Sequence, residues 1–547
     1  MRFFRLLLPL LGIAILAYFW SNALMDSLYA YRSPLHANPP SPGEPLPRRL
    51  TARLVFVLID GLRLDTSLDP QVMPFLNELR GQGASAVVHS RPPSYSDPGY
   101  GVLLIGAWPE LHDGPVMNLP YEETPTWTQD NLFTAAHRAG LRTAVAGLNW
   151  FERLIPQSAV TLSFYTPRED RVADEQVFNA VMPWLKENSA DFILVHFDQV
   201  DYAGHNEGGP RDARWKQAAR RVDDLLRQLA ATLNFEQDTL LVVSDHGHIE
   251  RGGHGGDEAV TLIEPLVVVG AGVRPGHYGD VQQVDIAPTV AALLGISLPA
   301  STQGRVLTEM LTLTEQETRL IQALEWAQQE RLLRAYLQAI GAPLRIPVFS
   351  GDPVAPFQQA LEEARQARLF RERLPRAGLV LLFLLLLVRP LTRWGRSSPL
   401  LAGGALLYFV LFHLDYTLLQ GRTYSLSSVS SAEDILTATA RSTILAFGLA
   451  ALFVFFRLRM RAWTRGDAAA TLLHFTYLSL FLTVTPLLIS FIWNGALITW
   501  TLPHFRTLFL GFLATIQSLL LAVLGPLFAL LAASIARGSV FRAKETR

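Results

Sequence analysis

The sequence predicts an α/β domain, with a mostly parallel sheet and helices on both faces, followed by an α-helical transmembrane region. Between residues 51 and 312, short apolar runs such as LVFVLIDG, DFILVHFD and DTLLVVSDHG alternate with amphipathic helical patterns. Strands that alternate with helices are typical of a parallel sheet covered on both faces. Beyond residue 374 the apolar runs become long enough to cross a membrane as helices.

The composition of the 547-residue chain excludes several classes of protein. Half of the residues are hydrophobic and only 17% are charged, which is unusual for a purely soluble or disordered protein. The net charge of -1 argues against a protein that binds a nucleic-acid scaffold through global positive charge. The absence of cysteine excludes disulfide frameworks, thiolate metal sites and cysteine nucleophiles.

The near-zero net charge hides two parts of opposite sign. Residues 377–547 contain 14 basic and 5 acidic residues, whereas residues 1–376 carry a net charge of -10. We therefore expect two different bodies joined near residue 376.

The first element is an apolar segment at residues 6–20, preceded by Arg2 and Arg5. A signal peptide is the alternative interpretation. However, no small-residue cleavage site follows closely, and aromatic residues end the segment as they do at a membrane interface. We predict an uncleaved anchor whose N-terminus is cytoplasmic.

Five further apolar runs lie near residues 374–391, 400–419, 442–456, 469–493 and 507–535. Arginine-rich segments follow every second span, as the positive-inside rule requires of cytoplasmic loops. This pattern predicts six spans, cytoplasmic termini and an extracytoplasmic position for residues 21–373. His413 and Asp415 lie inside the apolar run at 400–419 and are candidates for an intramembrane function.

The predicted organisation has five parts. They are an N-terminal transmembrane anchor at 1–25, a proline-rich linker at 26–50, the α/β domain at 51–312, a helical connector at 313–373, and a transmembrane region of about five helices at 374–547.

Polar residues with metal-binding chemistry follow the predicted strands or precede helices, and parallel sheets bind ligands at this edge. They are Asp60, Ser94, Asp201, His205, Asp245, His246 and His254. Singly, each has an ordinary explanation as a turn, an N-cap or a solvated loop residue. Together, three carboxylates, three imidazoles and a hydroxyl suit two divalent ions about 4 Å apart. Asp198 competes with Asp201 for the ligand role.

Three segments carry a family resemblance. PPSYSDPGYGVLLIGAWPELHDG, SDHGHIERGGHGGD and VDIAPTVAALLGI lie in a match over roughly residues 50–310. They resemble the alkaline phosphatase superfamily, in its type I phosphodiesterase/nucleotide pyrophosphatase branch, and are similar to the catalytic domain of GPI ethanolamine-phosphate transferases. The resemblance implies an alkaline-phosphatase-like fold for residues 51–312.

The resemblance also implies roles for these residues. One ion would be held by Asp60, Ser94, Asp245 and His246, and the other by Asp201, His205 and His254. Ser94 would be the nucleophile that forms a phosphoserine, and Asn118 would contact a phosphate oxygen. Two departures stand out, because Ser94 replaces the usual threonine with Ser96 as a close competitor, and Tyr100 replaces a family histidine.

These observations predict a membrane-anchored two-metal phosphodiesterase or phosphotransferase, with zinc as the first choice of ion and manganese as the second. Its expected partners are membrane lipids and a phosphodiester or phospholipid substrate. We expect it to act on phospholipid head groups or lipid-linked glycans at the outer face of the membrane. The alternatives are a tethered hydrolase of soluble nucleotides or phosphodiesters, and a catalytically inactive transporter or assembly factor. The oligomeric state stays open.

Overall fold

The computed structural model describes residues 2–348, 351–392, 398–459 and 465–542. The chain forms two compact units. The α/β unit comprises Tyr29–Arg368 with Thr499–Leu502, and the helical unit comprises Met1–Leu28, Leu369–Ile498 and Pro503–Arg547.

Strands and helices alternate through the α/β unit, and long helices make up the helical unit. The helices are α1 Arg2–Tyr29, α2 Leu64–Leu68, α3 Pro74–Gln82, α4 Ser96–Ile105, α5 Leu132–Arg138, α6 Trp150–Leu154, α7 Arg171–Lys186, α8 Gln199–Asn206, α9 Ala213–Ala230, α10 Ile286–Leu294, α11 Glu315–Ala339, α12 Ala355–Thr392, α13 Ser398–Leu414, α14 Ala432–Arg459, α15 Arg465–Asn494 and α16 Phe505–Arg542. The strands are β1 Arg53–Ile59, β2 Ala84–His89, β3 Thr143–Leu148, β4 Leu162–Thr166, β5 Phe192–Phe197, β6 Asp238–Val243, β7 Ile263–Gly270 and β8 Gly276–Gln282.

The eight strands form one sheet in the order β4-β3-β5-β1-β6-β7-β2-β8. Every pairing is parallel except those of β7, which runs antiparallel to both of its neighbours. Helices α3, α7 and α9 contribute to the apolar core on one face of the sheet, and α5 and α10 pack on its strands elsewhere. The predicted α/β class with a mostly parallel sheet is therefore confirmed.

The centre of the sheet explains why its strands are continuously apolar. Alternate residues of β1 point to opposite faces, and all seven residues of the strand are buried. Strands covered on both faces need apolar side chains at every position. The run in β1 therefore reflects burial on both sides and does not alternate.

The register of the central strands brings three chain segments together. Ile59 of β1 pairs with Phe197 of β5, and Leu58 of β1 pairs with Val243 of β6. The residues that follow these three strands consequently emerge side by side. This edge carries Asp60 and Asp245.

A buried ion pair stabilises the opposite end of the same strands. Arg53, at the start of β1, donates to both carboxylate oxygens of Asp238, at the start of β6, over 3.2 and 2.6 Å. Arg53 also donates to the carbonyl of Leu185 at the end of α7. Because Arg53 and Asp238 are both buried, loss of either side chain would leave the charge of the other without its counter-charge.

Five helices in the described part of the chain are long and apolar enough to cross a membrane, which indicates a membrane protein. They are Leu10–Tyr29, Pro399–Leu419, Ala432–Arg457, Gly466–Asn494 and Phe505–Ile535. The remaining predicted span, near 374–391, forms the last part of the 38-residue helix α12, which runs unbroken through the predicted domain boundary at 373. The charged segments at 393–397, 460–464 and 543–547 lie outside the described residues, so the predicted orientation stays a prediction.

Asp415 lies buried in the helical unit, where a π-helical turn, Asp415–Leu419, follows α13. One oxygen of its carboxylate accepts hydrogen bonds from Gln420 and Ser442, over 2.9 and 2.7 Å. The neighbouring His413 is hydrogen bonded to Tyr424. Asp415 is thus held by polar side chains of its own unit.

Candidate metal centre

The first ligand group lies at the carboxyl ends of β1 and β6. The Nε2 atom of His246 is 3.4 Å from Oδ1 of Asp60 and 3.4 Å from Oδ2 of Asp245. These two oxygens are buried, and neither has a hydrogen-bond partner among the described residues. Two carboxylate oxygens aimed at one imidazole nitrogen, and otherwise unpartnered, fit a divalent cation.

The second ligand group combines α8 with the glycine-rich loop after β6. Asp201 and His205 lie one turn apart on α8, and their Oδ2 and Nε2 atoms are 3.5 Å apart. Nε2 of His254 lies 2.8 Å from Nε2 of His205 and 3.5 Å from Oδ1 of Asp201. Two imidazole nitrogens and a carboxylate that converge in this way form a nitrogen and oxygen donor set suited to zinc.

The two groups are adjacent. Ligand atoms of Asp60, Asp201 and His246 all lie within 4.8 Å of one another. Burial alone would raise the pKa of Asp201, but His205, His254 and a hydrogen bond from His248 hold it well below its usual range. The centre thus brings three carboxylates and three imidazoles of the predicted set together.

The predicted ligand and nucleophile Ser94 lies against the glycine-rich loop that follows β6. Its hydroxyl donates to the carbonyl of Gly256 over 3.1 Å and accepts a hydrogen bond from the backbone N–H of Gly255 over 2.9 Å. Its own carbonyl lies 2.8 Å from Nδ1 of His254. That bond places a proton on Nδ1 and leaves Nε2 of His254 free to bind a cation. Ser94 therefore secures the loop that carries His254.

Ser96 lies beside the first ligand group. Its Oγ lies 3.1 Å from Nε2 of His246, the atom around which the first group is arranged. The extended residue Tyr95 precedes it, and α4 begins at Ser96. Because the chain turns into a helix here, the two serine hydroxyls diverge, whereas a fully extended segment would point them the same way.

Asn118 lies beside the start of α4. Its Oδ1 accepts a hydrogen bond from the backbone N–H of Asp97, the residue after Ser96, over 3.1 Å. This bond leaves the side-chain amide N–H groups of Asn118 as donors next to Ser96. The predicted contact of Asn118 with a phosphate oxygen stays a prediction.

Three further residues hold the ligands, and none of them is assigned this role by its sequence pattern. Tyr100 and His196 both donate to Oδ2 of Asp60, His196 over 2.9 Å. His248 lies 2.7 Å from Asp201 through its Nε2 atom. The signal for His196 is a lone polar residue inside the buried run of β5, which needs a partner.

Asp198, the competitor of Asp201, belongs to a different cluster. It lies 3.7 Å from His196 and is grouped with His196 and Asp60, away from His205 and His254. Burial, reinforced by the neighbouring carboxylates, raises the pKa of Asp198 well above its usual range. The geometry thus favours Asp201 as the partner of the two histidines.

The ligand-bearing segments fall inside one family match. Residues 54–262 match the family model described as type I phosphodiesterase/nucleotide pyrophosphatase. The chain carries a type I phosphodiesterase/nucleotide pyrophosphatase domain. This confirms the resemblance found from the sequence.

The curated relatives include GPI ethanolamine phosphate transferases. The human GPI ethanolamine phosphate transferase 2 catalytic subunit is 29% identical over 301 residues, covering 50% of this chain and 30% of the relative. The mouse GPI ethanolamine phosphate transferase 3 catalytic subunit is 28% identical over 296 residues, covering 49% and 26%. The match therefore spans less than a third of the length of these relatives.

Solved structures also match the chain. Human ectonucleotide pyrophosphatase/phosphodiesterase 5 is 15% identical with a TM-score of 0.40, covering 48% of this chain and 100% of that one. A phosphonate monoester hydrolase from Silicibacter pomeroyi is 15% identical with a TM-score of 0.36, covering 48% and 76%.

Proposed function

We propose that this phosphodiesterase-like domain contains a two-metal centre. The centre cleaves a phosphodiester through a phosphoserine and passes the phosphoryl group to an alcohol or to water. One observation carries the proposal. The unpartnered oxygens of Asp60 and Asp245 converge on Nε2 of His246, and a serine hydroxyl lies 3.1 Å from the same nitrogen. A catalytically inactive transporter or assembly factor would have no need of this arrangement.

We assign the nucleophile to Ser96 in place of Ser94. Divalent ions held by the two groups would lower the pKa of the serine hydroxyl and neutralise the phosphoryl oxygens. Oγ of Ser96 gives up its proton to solvent and forms the bond to phosphorus, while the bond from phosphorus to the leaving oxygen breaks and that oxygen takes up a proton. The amide N–H groups of Asn118 donate to a phosphoryl oxygen. Water or an alcohol then attacks phosphorus and releases Ser96.

The residues of the centre divide the ion binding between them. Asp60, Asp245, His246 and Ser96 would hold one ion, and Asp201, His205 and His254 the other. Three imidazoles among mainly carboxylate oxygens favour zinc, with manganese as the alternative.

The proposed substrate is a phosphodiester of a membrane lipid, either a phospholipid head group or a lipid-linked glycan. Two observations support it: the apolar helices, and the similarity to transferases named for GPI ethanolamine phosphate. The domain would act on the extracytoplasmic side. A tethered hydrolase of soluble nucleotides is the second candidate, favoured by the nucleotide pyrophosphatase description of the family match.

The test compares two serine variants of the detergent-purified full chain on bis-nitrophenyl phosphate. We expect Ser96→Ala to lower turnover at least about 100-fold, because it removes the nucleophile. Ser94→Ala, the matched control, should keep a substantial fraction of the activity. Mass spectrometry of the trapped intermediate should find a nitrophenyl phosphoryl group on Ser96. The same group on Ser94, or an active Ser96→Ala protein with its metals bound, would return the assignment to Ser94.

The substrate class needs a separate panel. Phosphatidylethanolamine in mixed micelles, with and without a glycan or simple alcohol acceptor, is compared with a soluble dinucleotide. Transfer to the alcohol from the lipid supports the first candidate. Hydrolysis confined to the nucleotide supports the second.

A further inference from the structure

His248 is a buried histidine beside the second ligand group, two residues after His246. Its Nε2 atom lies 2.7 Å from Oδ1 of Asp201, and its ligand atom lies within 4.8 Å of those of Asp201, His205 and His254. On distance alone His248 is equally suited to bind an ion directly or to hold Asp201. The hydrogen bonds around its ring distinguish these two roles.

The tautomer of His248 is fixed by its second nitrogen. The backbone N–H of Gly253 donates to Nδ1 of His248 over 3.0 Å. An acceptor nitrogen carries no proton, so the proton of the neutral ring is on Nε2. A protonated Nε2 has no lone pair for a cation, but it donates a hydrogen bond to Oδ1 of Asp201.

We propose that His248 is a positioning residue that holds Asp201 for the second ion, and that it is not a fourth ligand. The proposal rests on the two-metal function proposed above. A ligating carboxylate that is itself hydrogen bonded has a fixed orientation, and loss of such a partner commonly weakens metal binding about 10- to 100-fold. Here the bond from His248 fixes the carboxylate with Oδ2 turned towards His205, 3.5 Å away.

The residues around the imidazole ring of His248 leave space for it and fix its position. A Cβ added at Gly204 would lie 2.3 Å from Cε1 of His248, and one added at Gly61 would lie 2.8 Å from Nε2. Only glycine fits at these two positions while the ring stays in place. Trp215 packs edge-on against the ring, with centroids 5.2 Å apart.

The backbone of His248 is held as well. Its carbonyl accepts a hydrogen bond from the buried guanidinium of Arg63 over 3.3 Å. Space, ring orientation and backbone are thus all set by the rest of the domain. Nδ1 of the ring accepts from Gly253, so Nε2 is the nitrogen that donates to Asp201.

The test measures zinc affinity of the full chain in detergent, by competition with a chromogenic chelator. His248→Met removes the donor and should weaken one of the two sites about 10- to 100-fold while the other is unchanged. His248→Gln places an amide N–H near the position of Nε2 and should stay within about threefold of the wild type. His89→Gln is the control, because His89 ends β2 and pairs with Asp280 of the edge strand β8.

X-ray absorption of the zinc-loaded protein separates positioning from ligation. The number of imidazole ligands per zinc should be the same in the wild type and in His248→Gln. Loss of one imidazole in that variant would overturn the proposal by making His248 a ligand. Unchanged zinc affinity in His248→Met would also overturn it and reduce His248 to a packing residue, while leaving the two-metal function intact. A wild-type chain that binds no zinc or manganese would overturn both.

Discussion

Asp245→Asn should be more stable than the wild type when the protein is metal-free and less stable than the wild type when it is loaded with metal. Oδ1 of Asp245 accepts a hydrogen bond from the backbone N–H of Gly61 over 3.2 Å, and an asparagine retains that acceptor. Oδ2 is buried without a hydrogen bond and faces the first ligand group. Burial, and then the negative charge of Asp60, raise the pKa of Asp245 well above its usual range. A neutral amide therefore relieves strain in the empty site and removes a ligand from the filled one.

The magnitudes follow from these two effects. A buried charged group without a partner costs at least about 1–3 kcal/mol, and the amide carries no charge beside Asp60, so the metal-free variant should gain up to about that amount of stability over the wild type. An ion present at 100 times its dissociation constant stabilises the folded state by about 2.7 kcal/mol, and the variant should lose most of this gain at one site. For a domain of this size, 1 kcal/mol corresponds to a shift of about 2–4 °C in unfolding temperature.

The assay is thermal unfolding of the detergent-purified full chain, followed by tryptophan fluorescence, with either a chelator or excess zinc. The variant should melt a few degrees above the wild type in chelator and below it in zinc. Asp238→Asn is the control at the other end of β6, where loss of the negative charge that pairs with Arg53 should destabilise the protein in both conditions. An Asp245→Asn protein that melts below the wild type in chelator, or gains as much from zinc, would refute the reasoning.

Two further predictions concern pH and topology. Burial raises the pKa of Glu325 to about 8, far above that of an unfolded glutamate, so folding favours its protonated form and stability falls as the pH rises from about 4.5 to 8. Glu325→Gln should therefore flatten the loss of unfolding temperature between pH 5 and pH 8, and equal slopes for both proteins would contradict this. In the cysteine-free chain, a single cysteine at the exposed position Glu315 should react with an impermeant maleimide in intact cells, and one at Ser397 should react only after permeabilisation. The opposite labelling pattern would invert the predicted topology.

The fold and the proximity of most residues of the centre could be predicted from the sequence, because both follow from periodicity and register. Apolar runs without alternation indicated strands buried on both faces, and parallel strands place their carboxyl ends at one edge. Asp60 and Asp245 could be placed together on that basis. Asp201 and His205 followed from their i,i+4 spacing on a helix.

The choice between Ser94 and Ser96 was inaccessible from the sequence because it depends on a local backbone angle. The two serines share an edge in an extended segment and separate once a helix begins between them. Nothing in their spacing shows where the first helical turn starts. The α-helix begins at Ser96, and that residue reaches His246.

The residues that hold the ligands were inaccessible for a different reason. His196, Tyr100 and His248 come from three separate segments, and their partners are fixed only by tertiary packing. Even where the sequence marked one as unusual, as with Tyr100, the pattern indicated no partner.

The hydrogen bonds of the buried carboxylates separate a metal centre from an ordinary polar network. Asp223 uses both oxygens, which accept the backbone N–H groups of Phe75 and Leu76. Asp60 and Asp245 instead use one oxygen each and leave the other unpartnered on the side of His246. Other buried carboxylates, such as Glu264, also leave one oxygen unpartnered at a cost in stability, but here two such oxygens lie 3.4 Å from the same imidazole nitrogen. The fold places the two unpartnered oxygens side by side and holds each carboxylate by hydrogen bonds to its other oxygen, which is the arrangement that a cation requires.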